Sequence, residues 1–337
     1  MNIKGSKILV TGGAGFIGSH IVDFLLRQGA AVRILDNLSF GTMENLVGVK
    51  DDIEFIQGDI LDPETVAKSV KGMDIVSHHA AQLEIFVAAE DPSWDLKVNT
   101  IGTLNVFEAA RQAGVGRVVN ASSACVYGQK DGLTTETDSR KPNWAYGVSK
   151  LAAEEYGRIY SETKGLDVVS LRYSIVYGER EWFRRVLPIF LKRALDGKPP
   201  VVFGDGNQIR DFVHVEDVVR MHDACITDDR AVGEMFNVST GIGVSVVELA
   251  QAVAKLFLDD PQIIHEQVAE GKPSAQIPGK RRNAAELKAM LLAPDKAKIL
   301  LDWEPKVPLE EGLRREYEWA KAHPHRWGKI LNSNWNV

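Results

Sequence analysis

Lys7-Ile8-Leu9-Val10-Thr11-Gly12-Gly13-Ala14-Gly15-Phe16-Ile17-Gly18 stands near the start of the chain. Lys7–Val10 has the apolar character of a buried strand. After the glycines, Phe16, Ile17, His20, Ile21, Phe24 and Leu25 recur at helical spacing. Glycines 12, 15 and 18 fit G-x-x-G-x-x-G, and 13, 15 and 18 fit G-x-G-x-x-G. Glycine lets a backbone turn tightly and approach a pyrophosphate with no Cβ in the way. The helix start that follows offers unpaired N–H groups and a partial positive charge. Strand, glycine turn and helix in that order predict a dinucleotide-binding unit.

The next apolar run, Ala31–Leu35, ends at Asp36-Asn37. Asp36 follows Gly18 by 18 residues, near the ~20 that separate such a turn from a ribose-binding carboxylate. A carboxylate there accepts from both ribose hydroxyls and repels a 2′-phosphate, which favours NAD over NADP. Ile53–Ile56, Asp74–Ser77, Arg117–Asn120 and Val168–Leu171 are further strand-like runs. They are apolar on both faces and separated by helical patterns. That predicts an α/β protein with a doubly wound parallel sheet of Rossmann type, its crevice at the carboxyl ends of the strands. After about residue 173 prolines and charged helices dominate, which predicts a smaller mixed α/β lobe. Phe212–Val219 and Glu234–Val238 are strand-like again. The expected organisation is a nucleotide-binding unit of residues 1–173 plus about 212–238, and a substrate-binding lobe of about 174–211 plus 239–337.

Composition narrows the function classes. The 40 Lys and Arg against 46 Asp and Glu give a net charge of −6, which argues against non-specific nucleic-acid binding. Two cysteines, Cys125 and Cys225, make no disulfide framework and favour a reducing, cytoplasmic setting. The first residues lead into a strand pattern without a signal-peptide apolar region. No apolar stretch approaches the ~18 residues of a membrane span, so no membrane partner is expected. His78 and His79 are adjacent. On a strand they face opposite ways, so no metal site is expected there.

Tyr146-Gly147-Val148-Ser149-Lys150 places a tyrosine and a lysine at i and i+4, on one face if helical. An ammonium near a phenol favours phenolate, so the lysine is expected to lower the tyrosine and make it a general base. The same spacing recurs at Tyr160/Lys164 and Tyr317/Lys321, so spacing alone selects nothing. Context does. Tyr146 follows the strand Arg117–Asn120, which runs into Ala121-Ser122-Ser123. A hydroxyl at the carboxyl end of a parallel strand sits in the crevice, where Ser123 can hydrogen-bond a substrate oxygen and the phenol. Neither other pair has such a strand end upstream.

Together these features resemble the extended short-chain dehydrogenase/reductases, in the NAD-dependent sugar epimerase/dehydratase group, and within it the UDP-glucose 4-epimerases most of all. The ordered landmarks run from Thr11–Gly18 through Asp36–Ser39, Gly58-Asp59-Ile60, His78–Gln82, Val98–Thr103, Ser122–Gly128, Tyr146–Lys150, Leu171–Tyr173, Val176–Gly178, Phe203–Gly206 and Arg210–Asp217 to Leu301–Pro305. The resemblance implies that Gly12, Gly15, Phe16, Ile17 and Gly18 hold the pyrophosphate of NAD, that Asp36 and Asn37 bind the adenosine ribose, and that Asp59 and Ile60 flank adenine. It assigns His79, Ala80, Ala81, Gln82 and Asn99 to the cofactor groove, Lys150 to the nicotinamide ribose and Tyr173 to the nicotinamide. On the substrate side it implies Ser123 and Tyr146 at the sugar, Arg210 at the diphosphate, and Arg185, Val186, Val202, Phe203 and Arg282 in the nucleotide pocket.

The implied reaction is C4 epimerisation of a UDP-sugar: the sugar is oxidised to a 4-ketone, turns in the site and is reduced on its other face. Related 4,6-dehydratases carry an acidic pair where this chain has Ala124 and Cys125, which weighs against elimination. A nucleotide-sugar dehydratase or decarboxylase remains the enzyme alternative. A catalytically inactive dinucleotide sensor is the alternative of another class. Ile175 replaces an asparagine common in the family. The charged run Glu179-Arg180-Glu181-Trp182-Phe183-Arg184-Arg185 gives weight to an acidic sugar. The resemblance also implies a homodimer joined through the helices around 96–112 and 145–163.

Overall fold

The computed structural model describes residues 1–181, 185–282 and 286–326; Arg184 lies outside the described residues. The first half alternates strand and helix as expected: β1 (Lys7–Thr11), α1 (Phe16–Arg27), β2 (Ala31–Asp36), β3 (Ile53–Gln57), α2 (Pro63–Val70), β4 (Ile75–His78), the short helices α3 (Ile85–Glu90) and α4 (Pro92–Leu96), α5 (Thr103–Gln112), β5 (Arg117–Ser123), α6 (Ala145–Thr163) and β6 (Asp167–Tyr173). Successive side chains along each strand serve opposite layers. Ile8 and Val10 pack with α1 through Ile21 and Leu25, whereas Leu9 joins Val66, Val106 and Phe107 beneath α2 and α5. Both faces of the inner strands are buried, so β1 and β4 are rich in Val, Ile and Leu, while the edge strand β3 is only partly buried. Each such side chain removed from water contributes about 1.5–3 kcal/mol.

The second half begins with β7 (Ile175–Tyr177), α7 (Val186–Leu195), β8 (Val201–Phe203) and β9 (Ile209–His214). It returns through α8 (Val215–Thr227) and β10 (Met235–Val238), then adds β11 (Gly243–Ser245), α9 (Val246–Phe257), β12 (Ile264–Glu266), β13 (Ala289–Met290), α10 (Asp295–Leu301) and α11 (Leu309–Ala322). Among the described residues the main sheet has seven strands in the order β10-β6-β5-β4-β1-β2-β3, all parallel. The order reverses between β1 and β4, where a doubly wound sheet opens its crevice. β9 pairs with β7, β11 and β13 in a separate small sheet, and β8 pairs with β12. These form the second lobe.

Phe212–Val219 is not one strand. It ends as a strand at His214 and continues as α8 from Val215. His214 caps the helix by accepting from Glu216 N–H at 3.2 Å, and Glu216 and Asp217 occupy the first turn, where the helix dipole favours acids. Alternating Phe, Val and Val mimic a strand across the junction. The return to the main sheet is made by α8 and β10, while β9 belongs to the smaller sheet.

Candidate active site

A cavity of about 490 Å³ opens at the carboxyl ends of the main-sheet strands and extends into the second lobe, a size suited to a small-molecule site. Gly12, Gly15, Phe16, Ile17 and Gly18 line one end. Gly12 has φ +68°, and a Cβ there would lie 2.7 Å from the Ala80 nitrogen. A Cβ on Gly18 would lie 2.2 Å from the Gly12 carbonyl oxygen. The turn therefore tolerates hydrogen alone at both positions. Gly15 caps α1 with no side chain, and no acid occupies the first turn. The helix N–H groups are left for an anion, so this end of the cavity fits a pyrophosphate.

Asp36 lines the cavity and is buried. Its carboxylate accepts from Ala14 N–H at 2.9 Å and Leu38 N–H at 2.8 Å. Burial raises its pKa, while those two backbone bonds pull it back. Asn37 Nδ2 donates to Asp59 Oδ2 at 2.9 Å, joining the ends of β2 and β3. Asp59 and Ile60 line the same wall. These groups fit the adenosine half of NAD.

His78 and His79 do face opposite ways. His78 lies 2.7 Å from Thr11 Oγ1 and 3.0 Å from Thr103 Oγ1, packed edge-on against Phe107. His79 lines the cavity with Ala80, Ala81 and Gln82, its ring stacked on Tyr173 at 6.3 Å between centroids. Burial lowers both rings, His78 to about 3, so both are neutral. Tyr173 also lines the cavity.

Two expected site residues do not reach it. Asn99 is buried beneath the groove in a π-helical turn, Lys97–Gly102. Its Oδ1 accepts from Gln82 N–H at 2.9 Å, and its Nδ2 donates to the Gln82 carbonyl at 3.1 Å. It clasps the loop that does line the cavity. Val202 is the middle residue of β8 and points into the second-lobe core with Tyr177, Phe212 and Leu249. Its neighbours Val201 and Phe203 face the cavity, as strand alternation requires.

Ser123, Tyr146 and Lys150 converge on the cavity. Ser123 ends β5, in register with Tyr173 on β6, and its Oγ accepts from Cys125 N–H at 3.2 Å. Tyr146 and Lys150 stand one turn apart near the start of α6, and both are buried. Tyr146 departs from expectation. Burial pushes its phenol up, while Arg185 and a Ser123 hydrogen bond pull it down. Lys150 is pulled down by burial to about 8, with Asp95 and Glu154 acting the other way. The alternative pairs lie elsewhere: Tyr160 bonds Glu108 at 3.1 Å beside Phe107, and Tyr317 stacks on Phe257.

On the second-lobe side Arg185, Val186, Phe203, Arg210 and Arg282 line the cavity. Glu286 links two of the arginines, lying 3.8 Å from Arg210 and 3.4 Å from Arg282. Burial lowers Arg210, and Glu286 opposes the shift. Cys125 lines the cavity as a buried thiol whose pKa burial raises, so it is neutral. Trp144, Leu83, Met290 and Phe40 are among the other lining residues. Glu286, Trp144, Leu83 and Phe40 have no local sequence signal that separates them from loop or core residues. Among the described residues no helix is long and apolar enough to cross a membrane, and no group of three His, Cys, Asp or Glu side chains is placed to hold a metal ion.

Comparison with known proteins agrees with this geometry. The profile of the NAD dependent epimerase/dehydratase family matches residues 8–239. A putative UDP-glucose 4-epimerase of Methanocaldococcus jannaschii is 36% identical over 320 residues, 93% of this chain and 98% of that one. A mouse dTDP-D-glucose 4,6-dehydratase is 33% identical over 332 residues, 95% of this chain and 90% of that one. The crystal structure of Thermus thermophilus UDP-glucose 4-epimerase in complex with NAD is 35% identical, with a TM-score of 0.82 and coverage of 94% of this chain and 99% of that one.

Proposed function

The chain belongs to the NAD-dependent epimerase/dehydratase family, and from that premise we propose that it inverts C4 of a nucleoside-diphosphate sugar, a UDP-hexose or UDP-uronate, through a transient 4-keto sugar. The observation that carries this choice is the pair of residues after Ser123. Ala124 has no acid, and Cys125 offers a neutral buried thiol. Elimination across C5–C6 needs an acid and a base there; epimerisation needs neither.

NAD, held by the glycine turn, Asp36 and Lys150, would supply a reversible hydride acceptor with a cationic oxidised ring. The protein supplies the rest. Tyr146 takes the proton from the sugar 4-hydroxyl and gives it back after the ketone has turned, while Ser123 shares a hydrogen bond with that oxygen. Lys150 holds the ribose hydroxyls and places a positive charge on the phenol's side of α6. Burial favours the protonated phenol, so the phenolate that takes this proton would require the positive charge of Lys150 and of the bound coenzyme beside it. Arg210 and Arg282, tethered by Glu286, grip the diphosphate through planar guanidinium forks. The sugar is left loosely held and free to turn.

The test is incubation of the purified chain with UDP-glucose, UDP-glucuronate and UDP-N-acetylglucosamine, with products read by NMR. The expected product is the C4 epimer at unchanged mass. Loss of water or carbon dioxide would make the chain a dehydratase or decarboxylase instead.

We also propose a homodimer through the exposed face of α6 and the adjoining π-helical turn. Val148, Tyr156, Ile159 and Ile101 are large apolar side chains 38–53% exposed there, the kind of surface that marks an interface. Light scattering is expected to give twice the 37.2 kDa chain mass, and Val148→Arg with Ile159→Arg to give the single mass. A wild-type monomer would overturn the dimer.

A further inference from the structure

Lys150 is a cation with almost no access to water, yet the proposed chemistry needs it charged. Around it, α6 contributes Tyr146 and Glu154, the end of β4 and the loop after it contribute His78 and His79, and α4 contributes Asp95. Both histidines are neutral. Glu154 is already compensated, because it pairs bidentately with the buried Arg172 guanidinium and lies 3.5 Å from Arg140. Asp95 is different. It is 1% exposed, at the end of α4. Its Oδ1 accepts from Gln82 Nε2 and from Asn99 Nδ2, both at 3.0 Å. Its Oδ2 is buried with no hydrogen bond. Burial raises its pKa, and a Ser149 hydroxyl bond, the charge of Lys150 and the two amides pull it back. Every side chain bonded to it is neutral, so its negative charge is not cancelled by them. Asn99 Nδ2 also lies 3.3 Å from Ser149 Oγ, next to Lys150 on α6.

A buried carboxylate in this position is costly. The fold nevertheless builds it a dedicated seat. The π-helical turn Lys97–Gly102 swings Asn99 under both Gln82 and Asp95, and such turns concentrate at functional sites. Thr100 Oγ1 donates to the Ser149 carbonyl at 3.0 Å, anchoring the same turn to α6 one residue before Lys150. We infer that Asp95 is a positioning residue of the site: its carboxylate, seated by Gln82 and Asn99, is the counter-charge that keeps Lys150 an ammonium inside the groove. The same carboxylate offsets the cationic ring of oxidised NAD, which would otherwise repel that ammonium. The inference rests on the proposed role of Lys150, but its first test does not.

Asp95→Asn separates charge from shape. The amide oxygen still accepts from Gln82 and Asn99, so a seat that is merely structural would change little. The full chain is labelled with 13C at lysine Cε, and the Lys150 resonance is identified by its loss in Lys150→Met. In the wild type its titration midpoint should fall near the expected value of about 8. In Asp95→Asn it should fall about one pH unit lower, the order of size of one neighbouring charge removed from a buried site. The signs follow from Lys150 being a base whose charge burial already opposes: removing the negative neighbour lowers its pKa further, and the ammonium is lost at lower pH. The alkaline limb of kcat/KM should move down by the same amount, with activity at pH 6.5 within about threefold of wild type. Asp95→Glu keeps the charge in a poorer fit and should restore the midpoint more than it restores stability.

An unchanged Lys150 midpoint in well-folded Asp95→Asn would overturn the inference. So would a loss of kcat/KM that is uniform across pH, or an Asp95→Glu chain that titrates like the asparagine variant. If the NMR midpoint moves but no sugar is epimerised, the counter-charge stands and the functional reading fails. If epimerisation is found and the midpoint stays put, the reverse holds.

Discussion

Tyr146→Phe will lose turnover by roughly 10²–10⁴-fold, the range over which a positioned acid–base group acts. The substitution deletes one oxygen. The ring remains packed against Ala88, Cys125, Ile85 and Trp144, so the fold and its melting temperature should be preserved. The coenzyme site is not touched either, and heat should release the same amount of NAD from variant and wild type. Loss of rate with retained coenzyme is the signature of a chemical step. A variant within about threefold of wild type would remove Tyr146 from the mechanism and revive the reading of the chain as a dinucleotide sensor.

Glu154→Leu will cost roughly 3–5 kcal/mol of stability, measured by urea unfolding, because it strands a buried cation. Arg172 is 0% exposed. Its Nε donates to Glu154 at 2.9 Å, and one Nη donates to Tyr127 Oη at 2.6 Å. Tyr127 Oη in turn donates to Asn237 at 2.8 Å. Ser122 Oγ donates to Glu154 at 2.9 Å from β5, the strand that ends at Ser123. With the carboxylate gone, the guanidinium has neutral partners alone in a dry interior. The double variant Glu154→Leu/Arg172→Met should recover most of the loss, since a packed apolar pair carries no desolvation cost. A single variant as stable as wild type would mean that water reaches this pair.

The parts of the site legible in the sequence are those fixed by local chemistry. The glycine turn shows itself because only hydrogen fits at Gly12 and Gly18. Asp36 shows itself because it ends a strand at a fixed distance from that turn. Tyr146 and Lys150 show themselves because one helical turn separates them and a hydroxyl strand end precedes them. What was missed depends on which way a side chain points or on partners distant in sequence. Val202 and Phe203 are adjacent, and nothing local says which of them faces the cavity. Asn99 lies in a stretch shared by the family, but its work is to brace Gln82 from behind. Asp95 looks like any acid on a short surface helix until Gln82 and Asn99 close around it. The strand-like run through Val215 hid a helix start, because the apolar alternation continued past the histidine cap. The expected lowering of Tyr146 failed for a related reason: spacing reveals the neighbouring lysine but not the depth of burial, which is the largest influence on the phenol.

The edge strand β10 pairs with β6 through residues 235–238, after an intervening excursion that builds much of the smaller lobe. During synthesis on the ribosome, β6 therefore waits with a bare row of hydrogen-bonding groups while β7 to α8 emerge. An unprotected strand edge invites pairing with other chains, so the two lobes mature together, and a chain stalled before Met235 exposes a template for aggregation.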